Sequence, residues 1–431
     1  MTLSHPGRTL PLNRLDELFL ALDDGDEPWN VHIEVRCRGR LDVDRLRDAV
    51  REAARRHPLA RARLADWRFS DRGYGWEIAD ALVEVPLEVV ECDGAAAVAA
   101  ARERLLSRSP SLDAAPPFMM LLAREPATDT FVLNLHHAAC DGVGAARLML
   151  SILRAYAGAD DPTPPLDLLA ARDVRALAGA TSVTDRITRM RALARHAAQQ
   201  WTRAARVAVD GGDDRPGYGV ELLALSSEET AAVVALRTGD TTVNDVLLAA
   251  LAVTIRRWNA GRGEDARRVT LSMPVNLRPP EWQFEVVGNF ASYVTVSATT
   301  ADDLRSSLAD IGEQTRAIKR EGLGGLVVDL LAGYSTLTIA AKQRLPDVLA
   351  LTGPLVIDTA SLSNLGRLPD LGDDVEGVWV SPPGRMPLGT ALGVVTHDDR
   401  LHLALRYRHA QFDAAAARAF ADRYREVLLA G

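Results

Sequence analysis

The stretch Phe131-Val-Leu-Asn-Leu-His-His-Ala-Ala-Cys-Asp-Gly-Val-Gly144 is the segment around which we interpret the rest of the chain. Its first five residues have the two-residue period of a buried or half-buried β-strand. The adjacent pair His136 and His137 follows, and then a turn with an Asp-Gly pair and a predicted helix from about Ala145. Polar side chains at a strand end beside a glycine-containing turn can face a cleft. We therefore expect the chemistry of the protein at this turn.

Length and composition indicate a soluble protein of two domains. The chain has 431 residues, more than one hydrophobic core usually supports, and its hydrophobic content of 47% is ordinary. A formal net charge of -8 argues against a general nucleic-acid binder, which needs a basic face. Three widely spaced cysteines, no signal-peptide pattern and no apolar run of ~18 residues lead us to expect a cytoplasmic protein without integral membrane association.

Strand and helix patterns alternate in both halves of the chain and predict a mixed α/β fold. Residues 158–181 are rich in Pro, Asp, Ala and Gly, which is typical of a linker. A helical pattern with six arginines follows over 184–209 and ends at a glycine-rich break over 211–217. We predict a first domain at 1–180, a linker and bridging helix at 181–217, and a second domain at 218–431.

The second half also has element patterns that the structure can test. They predict helices over 302–320 and 326–350, strands over 355–361 and 375–380, and a hairpin from 390–396 to 401–407. His397 and His402 flank the turn of that hairpin, where we expect them to be solvated.

The segment His136-His-Ala-Ala-Cys-Asp-Gly142 matches the HHxxxDG motif of the superfamily of thioester-dependent acyltransferases. That superfamily includes condensation domains, polyketide-associated acyltransferases, wax-ester synthases and plant alcohol acyltransferases. Further segments resemble the family in the same order, at Gly39–Arg63, Thr242–Leu247, Met273–Phe290 and Ser363–Gly366. The DFGWG turn of the plant members is missing, and we expect no adenylation or carrier domain. The resemblance covers nearly the whole chain, and we expect a stand-alone member outside the plant branch.

The resemblance implies two chloramphenicol-acetyltransferase-like α/β sandwich domains that form a V-shaped pseudodimer around a central tunnel. It implies an enzyme that moves an acyl group from a thioester of CoA or of a phosphopantetheinyl carrier protein, with no tightly bound cofactor. We expect a monomeric acyltransferase of bacterial secondary metabolism that forms an ester on a small-molecule hydroxyl. An acyl or peptidyl carrier protein is a possible partner, and nucleic acid is not. Two alternatives stay open, an amide-forming condensation enzyme and a non-catalytic scaffold that recruits carrier proteins.

Within the motif, we expect His137 and Asp141 to have different roles. A neutral imidazole with a solution pKa near ~6.5 can accept the proton of an attacking hydroxyl, so His137 is the predicted general base. Asp141 follows across the turn and is expected to face away from the imidazole. A buried carboxylate needs a cationic partner, and the resemblance implies that this partner is Arg278.

Other residues of these segments have both structural and functional interpretations. We assign His136 and Gly142 supporting roles, because a packed histidine and a turn glycine explain them. Two histidines with a carboxylate also resemble an iron site, but adjacent histidines cannot easily face one metal, so we predict no metal. Cys140 is expected to be a buried apolar residue. Either turn chemistry or substrate binding explains four polar residues in the second half, namely Asn276, Asn289, Ser363 and Asn364.

The arginine-rich helical pattern over 184–209 also has two interpretations. It is either a solvated linker helix or a docking surface for an acidic carrier protein or for the phosphates of CoA.

Overall fold

The computed structural model describes residues 8–23, 25–162, 171–199, 204–264, 266–299, 303–344 and 358–430. Its strands are β1 (Arg8–Pro11), β2 (Asn30–Arg38), β3 (Ala62–Leu64), β4 (Gly75–Ile78), β5 (Leu87–Glu91), β6 (Phe118–Arg124), β7 (Thr128–His136), β8 (Tyr218–Ala224), β9 (Val269–Asn276), β10 (Ala291–Ala298), β11 (Ala360–Arg367), β12 (Val375–Ser381), β13 (Thr390–His397) and β14 (Arg400–Arg408). Its α-helices are α1 (Arg14–Leu22), α2 (Val43–Arg56), α3 (Ala95–Leu106), α4 (Gly142–Ala157), α5 (Val174–Ala178), α6 (Val183–Gln199), α7 (Ser227–Ala235), α8 (Val243–Ala260), α9 (Leu304–Arg320), α10 (Leu326–Tyr334), α11 (Ile339–Lys342) and α12 (Ala414–Leu429). The predicted mixed α/β fold is confirmed.

The first sheet has β7 at its centre and helices on both faces. Its strand order is β12-β2-β7-β6-β5. Phe131 and Leu133 of β7 pack with residues of α2 and α4 in one hydrophobic cluster. Val132, which points to the other face, packs with α3 residues in a second cluster. Because helices cover both faces of the sheet, nearly every residue of β7 is buried. The strand predicted at Phe131–Leu135 is therefore confirmed.

The second sheet has the order β10-β9-β11-β13-β14-β8 and packs against α8, α9 and α12. The apolar helix α8 lies at the centre of this core, where Trp258 contacts Phe412 and Phe420 edge to face. The predicted hairpin of β13 and β14 is confirmed by its antiparallel register.

The parallel strands β9 and β11 are joined only over a short distance. Their register pairs are Ala360 with Leu271 and Ser361 with Ser272. Beyond these pairs β9 continues to pair with β10, and β11 continues to pair with β13. The second sheet is therefore split between β9 and β11 toward their carboxyl ends.

Strand β12 connects the two halves of the chain. It follows β11 in sequence but pairs antiparallel with β2 at the edge of the first sheet, with Val378 opposite Val35 and Val380 opposite Ile33. The segment 218–431 thus contributes one strand to the sheet of the segment 1–180. The division at 181–217 stays a prediction, and the first sheet contains strands from both sides of it.

Three predictions about elements were wrong in part. Within the described residues, the helical pattern over 184–209 gives a helix over Val183–Gln199, whereas residues 204–209 are not helical, because Val207 and Ala208 fill the second core instead. The pattern over 326–350 gives the separate helices α10 and α11, because Thr338 accepts a hydrogen bond from Ala341 N and begins a new helix. The strand predicted over 355–361 begins at Ala360, and residues 345–357 lie outside the described part of the chain.

The expectation that His397 and His402 are solvated was wrong. They are 3% and 2% exposed. Both lie on the face of the hairpin that β12 covers, where the His402 ring meets Trp379 edge to face at 5.1 Å. Because β12 packs over the hairpin, it buries His397 and His402, which the local sequence pattern alone would place in solvent.

None of the helices in the described residues is long and apolar enough to cross a membrane.

Candidate active site

The turn after β7 is fixed by contacts with the second half of the chain. Asp141 is the N-cap of α4, and its carboxylate accepts a hydrogen bond from Gly144 N at 2.8 Å. The Asp141 amide donates to Gly288 O at 3.1 Å. Gly144 admits no larger residue, because an added Cβ would lie 2.6 Å from Cys140 Sγ and 2.9 Å from Gly288 O. The turn and the second half are therefore in direct contact.

The predicted pair of Asp141 and Arg278 is present. Arg278 Nη1 donates to Asp141 Oδ2 at 2.7 Å, and Nη2 donates to Oδ1 at 2.9 Å. Phe290 N donates to the same carboxylate at 2.8 Å, and Arg278 Nη2 also donates to Gly288 O at 2.9 Å. The two charged side chains are 3% and 0% exposed, so the pair is shielded from water. Such a bidentate pair orients both groups, and it joins the histidine turn to the second half.

His137 presents a buried and uncharged imidazole. Its ring lies 4.2 Å from the Phe19 ring and 6.5 Å from the Trp29 ring, centroid to centroid. Burial lowers the pKa of His137 to about 4, although the Asp141 carboxylate opposes the shift. Nδ1 is buried without a hydrogen-bond partner from another described residue. The ring is thus held by aromatic packing and is neutral at pH 7.

His136 has a structural role beside this site. Its Nε2 lies 3.4 Å from Asp23 Oδ2, and its Nδ1 accepts a hydrogen bond from Ala138 N at 3.1 Å. Asp23 in turn accepts hydrogen bonds from Trp29 N and the Ser109 hydroxyl. His136 therefore fixes the turn and the segment that carries Trp29.

A cavity of about 60 Å³ lies at the His137 ring, between the two halves of the chain. We call it the His137 cavity. Its lining includes His137, Asp141 and Gly142 from the turn, Pro274, Asn276 and Tyr293 from β9 and β10, and Ser363, Asn364 and Leu365 from β11. Because β9 and β11 separate after Ser272 and Ser361, the cavity lies in the mouth of the split sheet.

Three of the predicted polar residues, Asn276, Ser363 and Asn364, line the cavity. Asn276 Oδ1 accepts hydrogen bonds from Arg278 N at 3.1 Å and Arg278 Nη1 at 3.2 Å. Asn364 Oδ1 accepts from Gly366 N at 2.9 Å. Because each side-chain oxygen accepts these hydrogen bonds, the amino group of Asn276 points away from Arg278 and that of Asn364 points away from Gly366 N.

Asn289 lies behind the turn, outside the lining of the cavity. It is 0% exposed, and its Nδ2 donates to His137 O at 3.0 Å. Asn13 Nδ2 donates to Asn289 O at 3.1 Å. The structure therefore gives Asn289 a positioning contact with the backbone of His137.

The sequence analysis missed Tyr293, Phe19 and Trp29. Tyr293 lines the His137 cavity, and its ring meets Phe19 edge to face at 5.8 Å. Burial and the Asp141 carboxylate raise the pKa of Tyr293, so its hydroxyl is a neutral donor. Helical spacing predicts that Phe19 is buried, but no sequence signal indicates the histidine as its neighbour. For Tyr293 too no sequence signal indicated the cavity, because its position opposite Pro274 comes from the pairing of β9 with β10.

Cys140 is the buried residue that the sequence predicts, at 1% exposure. Burial and the Asp141 carboxylate raise the pKa of its thiol, which keeps it protonated. Within the described ranges, no group of three or more His, Cys, Asp and Glu side chains could hold a metal ion.

The arginines of α6 differ in exposure. Arg189 is buried and bonds to Asp185 and Asp329. Arg186 and Arg191 are exposed, and the docking interpretation of this helix stays a prediction.

Comparison with known proteins gives consistent matches for both halves. The profile of the condensation domain matches residues 17–168, and that of the phthiocerol/phthiodiolone dimycocerosyl transferase C-terminus matches residues 216–373. An uncharacterized protein of Mycobacterium tuberculosis strain H37Rv is 38% identical over 437 residues, which cover 98% of this chain and 99% of that protein.

Solved structures share the fold. The EpoB cyclization-docking bidomain from Sorangium cellulosum aligns with a TM-score of 0.69 and 17% identity, covering 98% of this chain and 85% of that chain. The condensation domain of the Monacolin K polyketide synthase MokA aligns with a TM-score of 0.68 and 14% identity, covering 98% and 97%. These matches confirm the predicted α/β fold of chloramphenicol-acetyltransferase type.

Proposed function

The chain belongs to the condensation-like acyltransferase superfamily, and from this premise we propose that it transfers an acyl group from a CoA or carrier-protein thioester to a hydroxyl. The superfamily comprises enzymes of acyl transfer and condensation. The choice of a hydroxyl acceptor, the donor and the role of His137 are the proposal.

The proposed reaction needs one base and no acyl-enzyme. The hydroxyl oxygen attacks the thioester carbonyl carbon while His137 accepts the hydroxyl proton. The tetrahedral intermediate then expels the sulfur, which takes that proton from the imidazolium. The products are an ester and a free thiol, and atoms and charge balance. Binding both substrates at one base supplies a large part of the rate advantage.

The observation that carries the proposal is the fixed, neutral imidazole of His137 at the junction of the two halves. Its pKa of about 4 leaves the ring ready to accept a proton at pH 7. Phe19 packs on the ring, and the Asp141–Arg278 pair holds the turn that carries it. A base that must accept a proton repeatedly needs this combination of free lone pair and fixed position.

Neutral donors around the cavity support stabilisation of the oxyanion. The amino groups of Asn276 and Asn364, the hydroxyl of Ser363 and the phenol of Tyr293 belong to its lining residues. We propose that one or more of them donates to the carbonyl oxygen as it gains charge. A donor in such a position lowers the activation free energy by about 2.7–4 kcal/mol.

A hydroxyl acceptor is favoured over an amine by the profile that matches the second half. That profile is named after a phthiocerol/phthiodiolone dimycocerosyl transferase, and the ending of the word phthiocerol denotes an alcohol. We further propose a small-molecule acceptor of bacterial secondary metabolism and a cytoplasmic setting. The three free cysteines, Cys37, Cys92 and Cys140, fit a reducing compartment.

The test is release of thiol from acetyl-CoA, from a longer acyl-CoA and from an acyl-loaded carrier protein, each with a panel of alcohols and amines. Mass spectrometry of the products separates esters from amides. The proposal expects ester formation that His137→Ala lowers by about 10²–10⁴-fold. The matched control is His402→Ala, a buried histidine outside the His137 cavity.

Each other outcome counts against a stated part of the proposal. Amides without esters would favour the condensation enzyme. Undiminished transfer in His137→Ala would refute the general base. No thiol release from any donor, together with carrier-protein binding, would favour the non-catalytic scaffold.

A further inference from the structure

A second cavity, of about 510 Å³, lies against β9 on the side of the sheet that the helices cover. We call it the β9 pocket. Its walls come from β9 at Met273–Val275, from the start of α8, and from α9 at Thr315, Ile318 and Lys319. The glycines after α9, together with Ala178 and Arg189, complete the wall. Its volume falls within the range of about 300–1,000 Å³ that small-molecule pockets usually have.

The β9 pocket is adjacent to the His137 cavity. Pro274 lines both. Side chains alternate along a strand, so Met273 and Val275 face the β9 pocket whereas Asn276 faces the cavity. Pairing between β9 and β11 stops at Ser272. Beyond that residue β9 has no main-chain pairing with β11, and Pro274, which lines both spaces, lies in this unpaired part of the strand.

Three polar side chains around the pocket, those of Thr242, Thr315 and Arg189, are bonded within the protein. Thr242 Oγ1 donates to Asp245 Oδ2 at 2.9 Å, and Thr315 Oγ1 donates to Gly312 O at 3.2 Å. Arg189 bonds to Asp329 Oδ2 at 2.8 Å. Much of the remaining wall is apolar, namely Met273, Pro274, Val275, Ile318 and Ala178, and Asn244 donates its amino group to Met273 Sδ at 2.8 Å. A ligand in this space gains by burying hydrocarbon.

Glycines bring the chain close to this space. An added Cβ on Gly324 would lie 2.9 Å from Val275 Cγ1, and one on Gly325 would lie 1.9 Å from Ala178 O. Larger residues here would displace the walls of the pocket. The exposed Lys319 stands at the rim.

We propose that the β9 pocket receives the acyl chain of the thioester donor, which extends from the His137 cavity through the opening between β9 and β11. This inference rests on the proposed acyl transfer and assigns its donor class, an acyl group with a long hydrocarbon chain. The pantetheine arm is a poorer occupant. Its two amides need hydrogen-bond partners, and the polar groups described above already have theirs.

The experiment measures binding of two unreactive thioethers, S-ethyl-pantetheine and S-dodecyl-pantetheine, to the full chain by calorimetry. The pantetheine part is common to CoA and carrier proteins, so the comparison isolates the hydrocarbon. Wild-type protein should bind the dodecyl compound at least about 100-fold more tightly, because each buried methylene adds affinity. Val275→Phe and Ile318→Phe fill the pocket from opposite walls, and each should weaken dodecyl binding by about tenfold or more.

Val83→Phe is the matched control, since the same change at an 87% exposed residue in the first half should leave the affinity ratio unaltered. Using two variants guards against one that fails to fold, which its melting curve would reveal. Equal affinities for the two thioethers in wild type would overturn the inference, and so would folded pocket variants with unaltered dodecyl binding.

The proposed function and this inference can fail separately. Tight dodecyl binding that both variants weaken, without thiol release from any donor, keeps the pocket and refutes the enzyme. Acyl transfer that is equally efficient with acetyl and dodecanoyl donors keeps the enzyme and refutes the pocket.

Discussion

Asp141 is the residue that most clearly belongs to the architecture of the site. Its carboxylate accepts hydrogen bonds from Arg278, Phe290 N and Gly144 N. Asp141→Asn leaves the buried Arg278 charge without a counter-charge, so we expect a loss of about 3–5 kcal/mol in the free energy of unfolding. Urea denaturation at pH 7.5 measures it.

The double variant Asp141→Asn with Arg278→Gln is the control, because it removes both charges. It should be more stable than Asp141→Asn alone. A single variant as stable as wild type would show that the pair contributes little.

The protonation of His137 gives a prediction at the same scale. Its folded pKa of about 4 lies below the ~6.5 of a free imidazole, so the base form persists as pH falls through 6. We expect kcat/KM to stay level between pH 8 and about pH 5 and to fall as pH approaches 4.

The measurement is the pH profile of thiol release, with acceptors that do not titrate in this range. A descending limb centred near pH 6.5 would contradict the burial of the ring in the free enzyme.

At the scale of elements, local patterns predicted what local interactions decide. The strand, turn and helix around His136 lie within one segment, and the Asp N-cap and turn glycine are readable from neighbours in sequence. Residues 204–209 are not part of the helix predicted over 184–209, because Val207 and Ala208 are held by distant groups. Asn259 Oδ1 accepts from Ala208 N, and Gln411 Nε2 donates to Val207 O.

Strand β12 shows the limit of this reasoning. Its alternation predicted a strand, but nothing in the segment 375–381 indicates that its partner is β2, more than 300 residues earlier. The burial of His397 and His402 depends on the same crossing. Of the candidate site, the Asp141–Arg278 pair was predicted through the family resemblance, whereas the contacts of Phe19 and Tyr293 with the site arise only when the halves meet.

At the scale of the whole molecule, buried neutral histidines make stability depend on pH. Burial lowers the pKa of His57 to about 3 and that of His137 and His402 to about 4, and it also lowers the pKa of His32. Each folded pKa lies below the unfolded ~6.5, so the unfolded state binds more protons in acid. Their contribution is fully present above pH 6.5 and is lost as pH falls toward 4.

Each such histidine lowers the free energy of unfolding by as much as about 1.4 kcal/mol per pH unit below pH 6.5. Asp358 acts in the opposite direction, because burial raises its pKa to about 6 and protonation then favours the folded state. Burial also raises the pKa of Asp16 and Glu221, which oppose the loss in the same way. Since the four histidines outnumber these three carboxyl groups, we expect a net loss of several kcal/mol between pH 7 and pH 5.

Urea denaturation at pH 7.5, 6.5 and 5.5 measures this loss, and His57→Gln isolates one contribution. His57 lies outside the His137 cavity, and its Nε2 bonds the Ser151 hydroxyl at 2.7 Å, a contact that a glutamine amide can replace. As pH falls, the free energy of unfolding of the variant should decrease less steeply than that of wild type. The difference in slope should approach about 1.4 kcal/mol per pH unit, the value for one proton. Equal slopes for the two proteins would mean that the pKa of His57 is the same in the folded and unfolded states. That result would contradict the lowering of the pKa by burial and by the nearby Arg147 charge.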